Sequence, residues 1–355
     1  MRGCSHRKGK AVDNAVILSE KVFGTTYGKT ANGLVRYGTR FVPVSVIDSR
    51  LAGRDAGEVL EGRRKGIPIV SSVSESLQYH PNTLVVGIAT DGGSLPAEYR
   101  SFIRDAIRSG LNIVSGLHEF LSDDIEFSSL AREAGVTITD VRKMYRDLRI
   151  PYTGKIAEVK SFKIAVLGTD SAVGKRTTAV FLNRSMNAAG RKSVMIGTGQ
   201  TAWMQGFPYT VVIDAMINDF IPGNLEDVVY RAWKNEHPEY MFLEGQGSVM
   251  HPAYPGSFEI IAACRPDAIV LQHSPSRIYY DGFSQFKIEP IEKYIKVLQL
   301  LSGKSVIAVA LNRENLSEES YSAEMSSLHK RLGIPVFDPL SDLGDITKYI
   351  ESISR

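Results

Sequence analysis

The chain has little of what marks membrane-spanning, secreted or disulfide-bonded proteins. Its 355 residues include only two cysteines, Cys4 and Cys264. Two distant cysteines form neither a metal-ligand cluster nor a disulfide framework, and they fit a reducing cytoplasm. No apolar run reaches the roughly 18 residues that a membrane span needs. The basic first ten residues are not followed by an apolar stretch, which argues against a secretory signal. We therefore expect a cytoplasmic protein.

A strong charge of one sign is also missing. The chain carries 42 Lys and Arg against 39 Asp and Glu, a net charge of +3, and the two signs are interspersed. This balance disfavours a nucleic-acid surface. At this length two domains are expected, because single cores stop growing at about 250–300 residues. We expect a small-molecule substrate, neither nucleic acid nor membrane as partner, and a homo-oligomer.

What the sequence does contain is a regular alternation of short apolar runs and helix-length amphipathic segments. This pattern predicts an α/β fold with mainly parallel sheets covered by helices. A break at Ile150–Lys160 places the boundary between two domains, residues 1–155 and 156–355. The predicted strands are residues 14–18, 42–47, 67–70, 83–88, 111–115 and 136–139 in the first half, and 162–167, 193–196, 209–213, 240–243, 268–271, 305–311 and 334–337 in the second.

The first strand of the second domain runs into a glycine-rich loop and then a predicted helix. Glycines let successive backbone N–H groups point inward, the helix N-terminus favours an anion, and the lysine adds a positive charge. The segment therefore predicts a phosphate-binding loop (P-loop), and the second domain is expected to resemble P-loop NTPases. The candidate cofactor-binding residues are Gly168, Thr169, Asp170, Ser171, Ala172, Val173, Gly174, Lys175, Arg176, Thr177 and Thr178.

This loop departs from the standard spacing in two ways. Five residues, not four, separate Gly168 from Gly174, and Arg176 occupies the usual Ser/Thr position after the lysine. The longer loop resembles that of dethiobiotin synthetase. Only Thr177 or Thr178 remains to supply the hydroxyl that normally reaches magnesium, so the identity of any metal stays open.

Two more polar segments follow predicted strands. One apolar strand ends in Glu244, which is positioned to hold a metal, act as a base or orient Lys175. His251 lies beyond it as either a site residue or a hydrogen-bonded structural histidine. Gln200 and Thr201 follow another strand as candidate substrate contacts. We take Glu244, Lys175 and His251 as the candidate catalytic residues.

With these motifs in place, the chain resembles a family formerly labelled as a domain of unknown function and now associated with D-glutamate N-acetyltransferase. In the first domain, expected to be Rossmann-like, the succession Gly66-Ile-Pro-Ile-Val, Ser72-Val-Ser-Glu-Ser-Leu and Leu84-Val-Val-Gly-Ile is also similar to the CoA-binding domain of succinyl-CoA ligases. The segments that carry the family resemblance are Lys29-Thr-Ala-Asn-Gly-Leu-Val-Arg-Tyr, Val46-Ile-Asp-Ser, Ser115-Gly-Leu-His-Glu-Phe-Leu, Asp140-Val-Arg-Lys, Gly168-Thr-Asp-Ser-Ala-Val-Gly-Lys, Gly197-Thr-Gly-Gln-Thr, Glu244-Gly-Gln-Gly-Ser and Arg265-Pro-Asp-Ala-Ile-Val-Leu-Gln-His.

The resemblance implies transfer of an acetyl group from acetyl-CoA to the amine of an acidic D-amino acid, with the CoA phosphates held by the P-loop. In that interpretation Glu244 is the base, Gln246 or Gln200 stabilises the oxyanion, and Arg176 or Arg142 binds the acidic substrate. Two alternatives remain. One is a ligase or kinase of dethiobiotin-synthetase type that uses ATP with magnesium. The other is a nucleotide-binding module without catalysis.

Overall fold

The computed structural model of the chain describes residues 13–354. The basic N-terminal segment, which argues against a secretory signal, lies outside the described residues. So does Cys4, one of the two cysteines that argue against a disulfide framework. The chain divides into two compact units. The first contains the residues up to Met144 together with Trp203–Gly206, and the second contains Tyr145–Ala202 and the residues from Phe207 onward. Both units combine helices with mostly parallel sheets, which confirms the predicted α/β fold class.

The first unit is built on a parallel sheet. Over residues 13–144 the sheet has six strands in the order β3-β2-β1-β4-β5-β6. Its central strand β1 ends in Val16, Ile17 and Leu18, which are almost fully buried because helices cover both faces. The strands are β1 (Asp13–Leu18), β2 (Phe41–Ile47), β3 (Ile69–Val70), β4 (Thr83–Val86), β5 (Asn112–Ser115) and β6 (Ile138–Asp140).

Helices connect these strands as crossover segments, which is how parallel strands are joined. They are α1 (Lys29–Tyr37), α2 (Ala56–Glu61), α3 (Val73–Ser76), α4 (Arg100–Arg108), α5 (Ile125–Ala134) and α6 (Lys143–Arg146). Short 3₁₀ helices lie at Ser49–Leu51, Leu77–Tyr79, Asp91–Gly93, Ala97–Tyr99 and Leu121–Asp123.

The second unit contains a longer parallel sheet and one hairpin. Over residues 145–354 the sheet has seven strands in the order β15-β14-β11-β7-β10-β8-β9, and a separate antiparallel pair joins β12 and β13. The strands are β7 (Phe162–Gly168), β8 (Ser193–Gly197), β9 (Tyr209–Thr210), β10 (Tyr240–Glu244), β11 (Ala268–His273), β12 (Tyr279–Tyr280), β13 (Phe283–Lys287), β14 (Val306–Leu311) and β15 (Val336–Phe337).

Strand β7 is the middle of this sheet and is buried on both faces. Ala165 and Leu167 pack into one hydrophobic cluster, and Ile164 and Val166 pack into another on the opposite face. All four are 0% exposed, which explains why the strand reads as a continuous apolar run. The strand therefore provides a rigid base for the loop that follows it.

The helices of the second unit flank this sheet. They are α7 (Lys175–Ala188), α8 (Gln200–Gln205, which extends into the residues grouped with the first unit), α9 (Ile221–Glu236), α10 (Ser257–Cys264), α11 (Ile291–Ser302), α12 (Glu318–Leu332) and α13 (Gly344–Ile353), with 3₁₀ helices at Lys155–Glu158, Ile213–Ala215 and Asn218–Phe220. Across residues 13–354 no helix is both long and apolar enough to cross a lipid bilayer.

Every strand predicted from the sequence overlaps a strand of the structure, but the hairpin of β12 and β13 was not predicted. The two strands meet at Asp281-Gly282, and Gly282 has a φ of +80°. Asp-Gly between short β-prone segments is a strong hairpin signal, so this element was readable from the sequence.

Candidate functional site

The candidate site lies at the carboxyl edge of the second sheet, where strands β7, β8, β10 and β11 end. These strands are neighbours and parallel, so the segments that follow them meet at one edge. The P-loop follows β7, Glu244 ends β10, and Gln200 and Thr201 follow β8. The structure thus brings together three segments that lie far apart in the sequence.

The P-loop turns directly into the first turn of α7. Gly174, just before the helix, has a φ of +110°, which a residue with a side chain rarely adopts. Lys175 folds back over the loop, and its Nζ donates a hydrogen bond of 2.6 Å to the carbonyl oxygen of Asp170. A Cβ on Gly168 would lie 2.9 Å from Cδ of Lys175. Glycine at 168 therefore leaves room for the lysine stem.

A buried ion pair braces the middle of the loop. The carboxylate of Asp170 is fully buried and accepts hydrogen bonds from Nη1 of Arg277 at 2.8 Å and from the backbone N–H of Asp281 at 3.0 Å. Arg277 also donates from Nε to Glu314 at 2.6 Å. The hydroxyl of Ser171 donates to Asp281 at 2.9 Å. Asp281, at the turn of the β12–β13 hairpin, and Arg277, just before β12, therefore hold the loop.

Glu244 is buried beside the loop and faces Arg176. Its Oε1 lies 3.5 Å from Nη1 of Arg176, and its Oε2 accepts a hydrogen bond of 3.0 Å from the backbone N–H of Thr198. Burial raises the pKa of Glu244, while Arg176, the Thr198 amide and Lys175 act in the opposite direction. The result is a carboxyl group with a pKa above its ordinary value, which suits a proton acceptor working near neutral pH.

The residues around the loop differ from the magnesium site of a P-loop NTPase. The hydroxyl of Thr178 is buried and donates to Oε1 of Gln272. Arg176 stands where the magnesium-binding hydroxyl normally stands. Among residues 13–354 no three His, Cys, Asp or Glu side chains are grouped so as to hold a metal ion. Of the two remaining hydroxyls, that of Thr178 is therefore engaged, whereas Thr177 is partly exposed and the carboxylate of Glu244 lies beside the loop.

His251 is held from two sides. Its Nδ1 accepts hydrogen bonds of 3.1 Å from the backbone N–H groups of Ala253 and Tyr254. Its Nε2 lies 3.4 Å from Oδ1 of Asp170. Because Nδ1 accepts two donors, the neutral ring carries its proton on Nε2, and burial lowers the pKa of His251. These contacts place His251 against the P-loop, and the catalytic role predicted for it from the sequence stays a prediction.

The three glutamine and threonine candidates lie at the ends of β8 and β10. Nε2 of Gln200 donates a hydrogen bond of 2.8 Å to the hydroxyl of Thr201, and both residues are buried. Gln246 is partly exposed, and its Nε2 lies 2.8 Å from where a Cβ on Gly199 would be. Gly199 therefore leaves space for the Gln246 amide. Arg142 belongs to the first unit, and its contact with a substrate stays a prediction.

Several residues of the site were not singled out from the sequence, although Gln272 and His273 end one of the segments that carry the family resemblance. Gln272 and His273 extend β11 beyond its predicted end, and Nδ1 of His273 lies 3.0 Å from the hydroxyl of Thr169. Burial lowers the pKa of His273 to about 4, so it is neutral. Arg277 and Asp281 were not singled out, although the Asp-Gly turn after Tyr280 was a usable signal.

Two family models match the chain. One, described as "Domain of unknown function (DUF1611_C) P-loop domain", matches residues 150–347, and the other, described as "Domain of unknown function (DUF1611_N) Rossmann-like domain", matches residues 49–144. A crystal structure of a DUF1611 family protein from Anabaena variabilis is similar with a TM-score of 0.87 and 28% identity, covering 97% of this chain and 100% of that chain.

Two relatives carry the name D-glutamate N-acetyltransferase. The one from Tritonibacter scottomollicae is 30% identical over 72% of this chain and 77% of its own length. The one from Pseudoalteromonas sp. is 31% identical over 76% of this chain and 81% of its own length. The chain has a P-loop unit after a Rossmann-like unit, and each of the two family models matches one of them. The chain also matches the two relatives over most of its length. It therefore belongs to the DUF1611 family and is related to the proteins named D-glutamate N-acetyltransferase.

Proposed function

We propose that this protein is an N-acetyltransferase that moves an acetyl group from acetyl-CoA to the amine of an acidic amino acid such as D-glutamate. The observation that carries the proposal is the meeting of the P-loop and the buried Glu244 at one sheet edge, in a chain whose relatives are named D-glutamate N-acetyltransferase. The substrate class and the use of acetyl-CoA come from those relatives. In this proposal the acetyl transfer takes place in the cytoplasm.

The P-loop supplies the binding site for the phosphates of acetyl-CoA in this proposal. Its backbone N–H groups and the N-terminus of α7 favour an anion. Lys175 already lies over the loop, where its charge would meet a phosphate. Arg176 is 22% exposed at its side chain, enough to contact a ligand. The loop would hold the cofactor by its phosphates without hydrolysing them.

The reaction needs one proton acceptor and one oxyanion donor. Glu244 takes a proton from the substrate ammonium, and the resulting amine attacks the thioester carbon. A C–N bond forms, the oxyanion develops, and the C–S bond then breaks. The second proton of the nitrogen passes to the departing CoA thiolate, so the products are the N-acetyl amino acid and CoA thiol. The amide of Gln246, partly exposed beside Gly199, is the proposed oxyanion donor.

Glu244 is preferred to His251 as the base because of their hydrogen bonds. Nδ1 of His251 already accepts two backbone donors, so this histidine offers no free lone pair near the loop. Glu244 has one oxygen toward Arg176 at 3.5 Å, at the edge of the loop. His251 instead lies beside Asp170, and in this proposal Gln200 with Thr201 contributes to the acceptor side of the site.

A second function, ATP-dependent ligation or phosphoryl transfer, is favoured by one observation. The acidic end of β10 lies beside the P-loop, as the metal-binding acid does in P-loop NTPases. Arg176, which faces the carboxylate of Glu244 and carries a positive charge of its own, weighs against it. The two functions differ in their products, which allows one assay to separate them.

The test is an assay of the purified protein with acetyl-CoA and a panel of amines containing D-glutamate, L-glutamate and D-aspartate. CoA thiol is followed by a chromogenic disulfide, and the acetylated product by mass spectrometry. We expect acetylation of D-glutamate that Lys175→Ala abolishes. Magnesium-dependent ATP turnover with no release of CoA would contradict the proposal and support the ligase or kinase.

A further inference from the structure

We propose that Arg176 takes the place of the magnesium ion at this P-loop, so that the loop binds a diphosphate-bearing ligand without a divalent cation. The proposal deepens the proposed function, on which it rests only for the identity of the ligand as acetyl-CoA. It concerns how the phosphates are held.

The first step is the position of Arg176 in the helix. It follows Lys175 in the first turn of α7, where a standard P-loop has the hydroxyl that binds magnesium. An arginine carries a permanent positive charge and five N–H donors in a planar fork that matches the oxygens of a phosphate. The cation at this position is therefore a side chain of the protein.

The second step is the state of Glu244, which has the position of the acidic metal ligand. One of its oxygens faces Arg176 and the other accepts the Thr198 amide. The side chain of Glu244 is only 5% exposed, and that of Arg176 is 22% exposed. Glu244 therefore orients the guanidinium from behind and leaves its outer edge open to a ligand. A magnesium ion there would compete with Arg176 for the same carboxylate.

The third step is the remaining hydroxyl near the loop. Thr178 is fully buried and donates to Gln272, so it points away from the open edge of the loop. Thr177 is partly exposed and is the one other hydroxyl in this turn. Replacing Thr177 by alanine separates a magnesium site built on that threonine from the arginine-based site proposed here.

The experiment is calorimetric titration of the full chain with two probes, acetyl-CoA and ADP, each in EDTA and in excess magnesium. We expect the wild-type dissociation constant of a bound probe to change by less than about threefold between the two buffers. Arg176→Thr restores the hydroxyl that follows the lysine in a standard P-loop, and we expect it to weaken binding in EDTA by about tenfold or more, with partial recovery in magnesium. Thr177→Ala should leave binding unchanged in both buffers.

A matched control comes from the same helix. Arg184→Thr removes the same charge from an exposed position of α7 and should bind like the wild type. Binding of both probes only in magnesium would overturn the proposal. If ADP binds in EDTA and acetyl-CoA does not bind, the arginine site stands and the acetyltransferase function falls. If neither probe binds in either buffer, both proposals fall.

Discussion

Burial and the charge of Arg176 act in opposite directions on the pKa of Glu244. Burial raises the pKa of this carboxyl group, and Arg176, at 3.5 Å, favours its charged form. The pair therefore keeps a buried carboxylate usable as a proton acceptor. Removing either partner leaves the other charge without its compensation, which is costly in a buried site.

The first prediction concerns the side chain of Glu244. Glu244→Gln keeps the shape and the hydrogen bond from the Thr198 amide but cannot accept a proton. We expect kcat for acetyl transfer to fall by about 10²- to 10⁴-fold, as for loss of a general base. Calorimetry should show acetyl-CoA binding changed only a few-fold. An unchanged kcat would remove Glu244 from the chemistry.

The second prediction is a pH dependence. Glu244 works only when deprotonated, so kcat falls as pH drops through its pKa. Because burial raises that pKa, the acidic limb should lie above the ordinary range of a glutamate. Arg176→Met removes a charge that lowers this pKa, so the limb should move to still higher pH at saturating acetyl-CoA. Arg184→Met serves as the control, and a limb that stays in place in Arg176→Met speaks against Glu244 as the titrating group.

At the scale of elements, the loops at the sheet edge are held by tight backbone contacts. After β10 the chain turns at Gly247, which has a φ of +54°. The backbone N–H of the next residue, Ser248, donates a hydrogen bond of 3.0 Å to the carbonyl oxygen of Tyr254, which fixes the position of the turn. The same turn leads to His251, whose Nε2 faces Asp170 of the P-loop. The β10 loop and the P-loop thus lie against each other at a buried position.

The third prediction compares two glycines with positive φ. A Cβ on Gly247 would overlap the carbonyl oxygen of Tyr254, whereas one on Gly282 meets nothing within 4 Å. Gly282→Ala therefore costs only the backbone strain, about 1–2 kcal/mol. Gly247→Ala must also displace the loop, so we expect a larger loss in the free energy of unfolding and weaker acetyl transfer. Denaturant unfolding of the two variants measures their losses in the free energy of unfolding, and the acetylation assay measures their activity. Equal losses of stability would contradict the packing described at Gly247.

At the scale of the whole molecule, the two units have different shares in the proposed chemistry. Lys175, Arg176, Glu244 and Gln246 lie in the second unit, whereas Arg142, a predicted contact of the acidic substrate, lies in the first. The hydrogen bonds from Arg277 and Asp281 to Asp170 join residues more than a hundred positions apart in the chain. Ligand binding should therefore be felt in segments that are distant in the sequence.

The fourth prediction is a hydrogen-exchange pattern. Acetyl-CoA should slow amide exchange in peptides covering residues 168–178, 197–201 and 244–247, because a ligand on the sheet edge reduces local opening. Lys175→Ala should show no such protection under the same conditions. Protection confined to the first unit would place the cofactor site elsewhere.

Much of this architecture was predictable from local sequence patterns, whereas contacts between distant segments were not. Apolar runs such as residues 162–167 predict buried parallel strands, and Gly168, Gly174 and Lys175 predict a phosphate loop from local spacing alone. The order of the strands was not predictable, because periodicity says that a strand exists but not which strand it pairs with. Arg277 was missed for the same reason, since only the folded chain brings it to Asp170. The hairpin at Asp281-Gly282 was missed although its turn chemistry is local.

The most direct test of the central claim, that the P-loop binds acetyl-CoA, is calorimetric titration of the purified full chain with acetyl-CoA, beside Lys175→Ala. We expect the wild type to bind at micromolar strength and Lys175→Ala to show no measurable binding, since the variant lacks the charge that faces the phosphates. Equal binding by both proteins would show that acetyl-CoA does not use the P-loop. No binding by the wild type would contradict acetyl-CoA as the cofactor.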